Sequence, residues 1–160
     1  MHMYEPEKNF FGGSGIVGAQ TPVGTGLAFA EKYIYNLNNR DKQTPEGEMK
    51  CCVTMFGDGA SNQGQVWESA NMAKLWSLPQ IFVIENNQYG MGTSTERSSS
   101  STEYYMMGKH HIPGIQADGN NVFAVREAMR RAREVCVSGK GPIFLEVFYY
   151  MNCLDYIVKD

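Results

Sequence analysis

Two short polar stretches follow apolar runs in a way that could hold a metal ion and an anion. Cys51-Cys52-Val53-Thr54-Met55-Phe56 leads into Gly57-Asp58-Gly59-Ala60-Ser61-Asn62-Gln63-Gly64. Ile81-Phe82-Val83-Ile84 leads into Glu85-Asn86-Asn87-Gln88-Tyr89-Gly90. A carboxylate at Asp58 and an amide oxygen at Asn87, at the ends of neighbouring strands, are hard oxygen ligands of the kind magnesium takes in small number beside phosphates. Gly57 and Gly59 are read as letting the main chain turn sharply and approach an anion, and the helix that follows offers free N–H groups and a positive dipole end. Asp-Gly is also a common turn pair, so Gly57-Asp58-Gly59 alone reads equally well as an ordinary strand-to-helix turn. The Asn-Asn pair closing the next buried run is what favours the ligand reading. A dinucleotide fingerprint does not compete, because Gly24-x-Gly26 opens a helix but follows no strand.

The elements that must position these loops are legible in outline. Thr21 is a candidate N-cap before Pro22, and Val23, Leu27, Ala30, Ile34 and Leu37 recur at helical spacing. The two apolar runs read as buried parallel strands. A helix from about Gln65 to Trp76 lies between them, ended by Pro79. A long loop runs from Gln88 through Ser101, with a short helix near Tyr104-Met107. A brief strand is expected at Ile115-Gln116-Ala117. Asn121 caps a helix from Val122 to Val137, Gly139 and Gly141 end it, and Ile143-Phe144-Leu145-Glu146-Val147 is a fourth strand. Strands alternating with helices predict an α/β fold, a mostly parallel sheet with helices on both faces. Its ligand site lies outside the carboxyl ends of the strands, where both polar loops fall.

Composition narrows the field further. At 160 residues the chain is one domain's worth. A net charge of −3 and a pI near 5.6 give no bulk electrostatic reason to expect nucleic acid or an anionic membrane as partner. Arg126, Arg130, Arg131 and Arg133 read as a solvated helix face. Cys51, Cys52, Cys136 and Cys153 form no CxxC pair and read as reduced thiols. No apolar run approaches the roughly 20 residues of a membrane helix, so no membrane insertion is expected, and Met1-His2-Met3-Tyr4-Glu5 lacks the features of a targeting peptide. The 17 glycines exceed the average of about 7%. Many of them cluster at Gly12-Gly13-Ser14-Gly15, Gly57-Asp58-Gly59 and Tyr89-Gly90-Met91-Gly92. Trp67 and Trp76 read as core and subunit contact, Glu85 and Glu68 as structural, and His110, His111 and His2 as surface.

The string GDGASNQGQVWESANMAKLWSLPQIFVIENNQYGMGTS closely resembles the thiamine diphosphate motif of pyruvate dehydrogenase alpha subunits, a family of thiamine-diphosphate-dependent 2-oxo acid dehydrogenases. FFGGSGIVGAQTPVGTGLAFA, HHIPGIQADGNNVFAVREA and SGKGPIFLEV resemble further stretches of the same family, covering the chain to about Val147. The resemblance implies the thiamine-diphosphate-binding fold and a heterotetramer with a beta subunit. It also implies oxidative decarboxylation of pyruvate with acetyl transfer to lipoyl groups on the acyltransferase core, feeding acetyl-CoA formation. It implies that Asp58, Asn87 and the Tyr89 carbonyl hold magnesium and that Gly59 and Ala60 line the diphosphate. Gly15 and Val17 would meet the aminopyrimidine, and Gly90 would close the site. Met91, or alternatively Val17, would hold the cofactor bent. The activating glutamate of this family comes from the beta subunit, so no catalytic residue is assigned on this chain. Ser94 matches a site of inhibitory phosphorylation, which implies a regulatory kinase and phosphatase. The implied location is the mitochondrial matrix in a eukaryote and the cytoplasm otherwise.

The chain departs from the family pattern at both ends. An arginine and a tyrosine that reach the diphosphate upstream of MHMY have no counterpart, nor does the YRxHGHS-type loop with its phosphate-binding histidine. Residues 148–160 instead form a divergent tail after the central cofactor-binding part, residues 1–147. Alone, the chain is expected to bind cofactor poorly and not to turn over. The alternatives are the alpha subunit of a branched-chain 2-oxo acid or acetoin dehydrogenase, and a non-catalytic scaffold or fragment of the same fold.

Overall fold

The computed structural model describes residues 3–150. Four strands, β1 (Cys52–Gly57), β2 (Gln80–Asn86), β5 (Gly114–Asp118) and β6 (Ile143–Phe148), form a wholly parallel sheet in the order β1-β2-β6-β5. β3 (Tyr89–Gly90) and β4 (Thr93–Ser94) pair antiparallel as a separate small hairpin. The helices are α1 (Gln20–Asn38), α2 (Gly64–Leu75), the short α3 (Thr95–Ser98) and α4 (Val122–Val135).

Side chains alternate along each strand and so feed two cores. Phe82, Ile84 and Phe144 pack with Ala28 of α1 and with Val66, Ala70 and Ala73 of α2 on one face. Ile81, Val83, Ile143 and Leu145 pack with Ala128 and Ala132 of α4 on the other. Helices therefore cover both faces, as expected. A parallel strand buried on both sides is apolar almost throughout, and β2 matches that pattern except at its polar end.

α1 approaches β1 closely because it presents a glycine there. A Cβ added at Gly24 would lie 1.9 Å from the Thr54 hydroxyl oxygen. A small buried polar network stitches the same contact: Thr25 Oγ1 donates to Gln80 Oε1 at 2.9 Å, and Gln80 Nε2 donates to Thr54 Oγ1 at 3.2 Å. The helix starts at Gln20, so Thr21 is its second residue and not its N-cap, and no side chain caps the end. Asn121 does cap α4, its Oδ1 accepting from the Phe123 and Ala124 main-chain N–H groups. α4 gives way to a π-turn over Cys136–Lys140, with Gly139 inside it and Gly141 just after it at positive φ.

The arginine face of α4 is solvated and self-paired: Arg130 bridges Glu127 and Glu134, and Arg131 joins Glu127. Cys51, Cys52 and Cys136 are free thiols, and burial pushes Cys136 up to about 12, which keeps it protonated and unreactive. Cys153 lies outside the described residues. β6 runs to Phe148, and the Tyr149 N–H donates to the Asn86 carbonyl at 3.0 Å, so the sheet continues just past the expected strand end. The later tail lies outside the described residues. No helix among the described residues is long and apolar enough to cross a membrane.

Candidate functional site

β1 and β2 are adjacent and in register, Gly57 opposite Glu85, so the two polar loops emerge side by side at the carboxyl edge of the sheet. The Asp58 N–H donates to the Glu85 carbonyl at 3.2 Å, extending the pairing one residue into the loop. Gly59 and Gly90 then meet backbone to backbone: a Cβ on Gly59 would lie 3.1 Å from the Gly90 Cα, and one on Gly90 3.2 Å from the Gly59 Cα. Gly59 has helical φ and ψ. Its glycine character serves this close approach and not the sharp turn expected of it. A 3₁₀ turn, Ala60–Asn62, separates Gly59 from α2, which starts at Gly64. The Ser61 hydroxyl closes the turn by donating to the Asp58 carbonyl.

Asp58 is only 2% exposed, and its Oδ2 is buried without a hydrogen-bond partner. Burial holds its carboxyl above the ordinary value; the main-chain N–H groups of Asp58 and Asn87 pull it back, and the nearby Glu146 carboxylate adds to the rise. An anionic oxygen shut away from water with no donor is costly, and a cation would relieve it. Asn87 lies at the loop's start with its Oδ1 accepting from the Tyr89 N–H at 3.0 Å. Among the described residues no three His, Cys, Asp or Glu side chains gather as a metal cluster. A cation here would thus draw on one carboxylate, an amide oxygen and main-chain carbonyls, a donor set that suits magnesium only beside further oxygens from a ligand.

The remaining expected residues divide. Asp58, Gly59, Ala60, Asn87, Tyr89 and Gly90 are brought together. Gly15 and Val17 are exposed in the segment before α1. The next residue, Gly18, packs against Gln63 and Gln65 at the start of α2, its φ of 86° suiting glycine. That places the segment on the helix that follows the Asp58 loop. Met91 is 95% exposed, at the tip of the β3–β4 hairpin with a φ of 58°, so this chain gives it nothing to press on. Ser94 faces Tyr89 across that hairpin.

Sequence reasoning gave Gln88 and Glu146 no role and took Asn86 only as half of the Asn-Asn pair. The one available signal was a glutamate inside an otherwise apolar strand. Glu146 is fully buried in β6, its Oε1 accepting from Asn86 Nδ2 at 2.6 Å and its Oε2 from the Tyr105 N–H at 2.9 Å. Asn86 Oδ1 in turn accepts from the Gln88 N–H at 2.9 Å.

These features define a parallel α/β protein with a candidate site at the carboxyl edge of its sheet, and the fold is shared with transketolase from Leishmania mexicana. The two align with a TM-score of 0.69 at 20% identity, over 85% of this chain and 20% of that one, a likeness of fold alone. The chain belongs to the dehydrogenase E1 component family, whose model matches residues 1–152. It is 55% identical over 150 residues to the pyruvate dehydrogenase E1 component subunit alpha type I, mitochondrial, of Ascaris suum, covering 94% of this chain and 34% of that one. It is 53% identical to the somatic mitochondrial form of the same subunit from Homo sapiens, covering 94% and 35%. The chain thus spans about a third of the length of these curated relatives.

Proposed function

We propose that residues 1–147 are the central, cofactor-holding part of a pyruvate dehydrogenase alpha subunit, with residues 148–160 a divergent tail. The observation that carries this reading is the buried, unpartnered Oδ2 of Asp58 at the point where the Gly59 and Gly90 backbones meet. Asp58, Asn87 Oδ1 and the Tyr89 carbonyl would hold magnesium, and Gly59 and Ala60 would line a diphosphate. Gly90 would close the site, Gly15 and Val17 would meet the aminopyrimidine, and Met91 or Val17 would hold the cofactor bent. When bound, thiamine diphosphate supplies the electron sink for decarboxylating a 2-oxo acid.

The work of this chain is to place and charge-balance that group. The Asp58 carboxylate must stay ionised to bind the metal, and the N–H groups of Asp58 and Asn87 favour that form. A glutamate of a beta subunit, with which the chain would form a heterotetramer, would supply the acid–base group that activates the cofactor, so this chain's own residues would bind and orient it. The acetyl unit would pass to a lipoyl group on an acyltransferase core. A phosphate on Ser94, facing Tyr89, would bring like charge beside the diphosphate and oppose its binding, giving a kinase and phosphatase a point of control. The mitochondrial forms among the relatives favour the mitochondrial matrix.

Calorimetric titration of the full-length alpha subunit, assembled with its beta subunit, against thiamine diphosphate with and without magnesium tests the assignment. Magnesium-dependent binding is expected, weakened by Asp58→Ala beyond the roughly 10–100-fold cost of losing a supporting residue. Binding indifferent to magnesium, or unaffected by Asp58→Ala, would reject it. Decarboxylation rates over pyruvate and branched-chain 2-oxo acids, together with the rate of carbon–carbon cleavage of acetoin, then identify the substrate.

A further inference from the structure

Glu146 needs explaining. It is a fully buried carboxylate in the middle strands of the sheet, opposite Ile84 on one side and Gln116 on the other. Among the described residues no lysine, arginine or histidine forms a salt bridge with it. A charged side chain is almost never fully buried unless paired, so a glutamine or an apolar residue would be the simpler choice for core packing alone.

Its partners supply a reason. Both groups that face it are donors, the Asn86 amide NH2 and the Tyr105 main-chain N–H. A carboxylate accepts at both oxygens, whereas a glutamine would turn an NH2 toward one of those donors. The Asn86 amide cannot reverse either, because its Oδ1 faces the Gln88 N–H, which can only donate. Hydrogen-bond polarity is therefore set along the whole chain from Tyr105 through Glu146 and Asn86 to Gln88.

Gln88 is where that ordering is used. It has a φ of 71°, a left-handed conformation that an L residue other than Gly, Asn or Asp seldom takes. It is held by its N–H on Asn86 and by its carbonyl, which accepts from the Thr95 N–H at 2.9 Å. The turn it makes sets Asn87 on one side and the Tyr89 main chain on the other.

We propose that Glu146 is a positioning residue for the magnesium site: through the Asn86 amide it holds the Gln88 turn in the geometry that presents Asn87 Oδ1 and the Tyr89 carbonyl. This rests on the ligand assignment proposed above, but the hold on the turn exists without metal and is measured separately. Glu146→Gln sets an NH2 against a donor and frees the turn. Adding Asn86→Asp reverses both partners, so that the glutamine NH2 donates to the new carboxylate, which still accepts from Gln88, and the glutamine oxygen still accepts from Tyr105.

The experiment uses the full-length alpha subunit assembled with its beta subunit. Amide hydrogen exchange over residues 85–92 is followed by mass spectrometry on metal-free protein, beside the magnesium concentration needed for half-maximal thiamine diphosphate binding. Glu146→Gln and Asn86→Asp are each expected to speed exchange in that segment and to raise the magnesium requirement about tenfold. The double variant is expected to return both toward wild type. Unchanged exchange in Glu146→Gln, or a double variant as impaired as Glu146→Gln, overturns the proposal. If Glu146→Gln alone does not fold, the double variant still decides, because each of the three hydrogen bonds from Tyr105 to Gln88 again joins a donor to an acceptor. A wild-type protein without magnesium dependence would overturn the cofactor reading alone, since exchange is measured without metal.

Discussion

Asp58 combines poor folding energetics with good ligand chemistry, and the two should separate by mutation. Its Oδ2 lies buried without a donor, so in metal-free protein the ionised form carries a desolvation cost that the main-chain N–H groups of Asp58 and Asn87 offset only in part. Asp58→Asn keeps the shape and removes the charge. Metal-free Asp58→Asn is expected to unfold about 2–4 °C above wild type, corresponding to roughly 1 kcal/mol for a chain of this size. On the proposed assignment it should also lose the stabilisation that magnesium and thiamine diphosphate would give wild type, about 2.7 kcal/mol at a hundredfold excess over Kd. Thermal melts of both proteins, with and without magnesium and cofactor, check the pair of outcomes. A variant less stable than wild type without metal would mean that the carboxylate is better compensated than its hydrogen bonds indicate. The same contrast bears on what could be read in advance. Asp58 and Asn87 stand within three residues of the ends of apolar runs and were legible as candidates from type and place. Glu146 acts through hydrogen bonds to distant segments, which no local pattern signals beyond a glutamate inside an otherwise apolar strand, and Gln88 takes its place only through that network.

At the scale of elements, α1 holds two glycines whose substitution should act in opposite directions. Gly24→Ala drives a methyl into the Thr54 hydroxyl, prising α1 from β1 at an overpacking cost of about 1–3 kcal/mol. Gly26 is exposed with nothing within 4 Å of an added Cβ, so Gly26→Ala should stabilise by about 0.5–1 kcal/mol through helix propensity. Denaturant midpoints of the two variants test the assignment, and two shifts of the same sign would contradict the packing.

On α4, hydrogen bonds from Arg130 and then Arg131 lower Glu127 to about 2. A depressed folded-state value adds stability above the ordinary carboxylate range, and that stability is lost as pH falls toward about 2. Glu127→Gln should therefore flatten the acid limb of the stability curve slightly, and only slightly, since the ion pair is exposed. The Asn121 cap, the two long strands and the glycine stop after α4 were readable because capping, apolar runs and positive φ have local signatures. The β3–β4 hairpin was not, being read as loop. Its strands are two residues long and its corners use left-handed Gln88 and Met91 where glycine would be expected.

For the molecule as a whole, the decisive feature is how much apolar surface the sheet leaves bare. β1 is an edge strand. Thr54 and Phe56 are covered by the α1 and α2 side, while Val53 and Met55, facing the side of α4, remain 44% and 51% exposed. Val23, Phe29, Tyr33, Ile34 and Leu37 of α1 are exposed as well, and Phe29 meets half-exposed Trp76 edge to face. Scattered apolar residues on a surface mean little, but apolar side chains on a sheet face together with a strand edge that no other described strand pairs, only its Met55 carbonyl being met by Gln20 Nε2 at 2.9 Å, invite association. The 160-residue chain by itself should therefore bind a hydrophobic dye and form oligomers, as judged by dye fluorescence and light scattering. Val53→Thr with Met55→Thr keeps β-branched or strand-compatible side chains while making that face polar, and should lower both signals without lowering the unfolding midpoint. Dye binding and oligomer size unchanged by the double substitution would move the sticky surface to α1, where Phe29→Ser and Ile34→Ser provide the next test. Either result bears on binding: the Asp58 and Asn87 loops open at the carboxyl end of this same edge strand and its neighbour, so a chain that self-associates through β1 holds its candidate site beside a non-native contact. Measurements of cofactor affinity on the chain alone should consequently vary with protein concentration, whereas the full-length subunit in its assembly should give a single value.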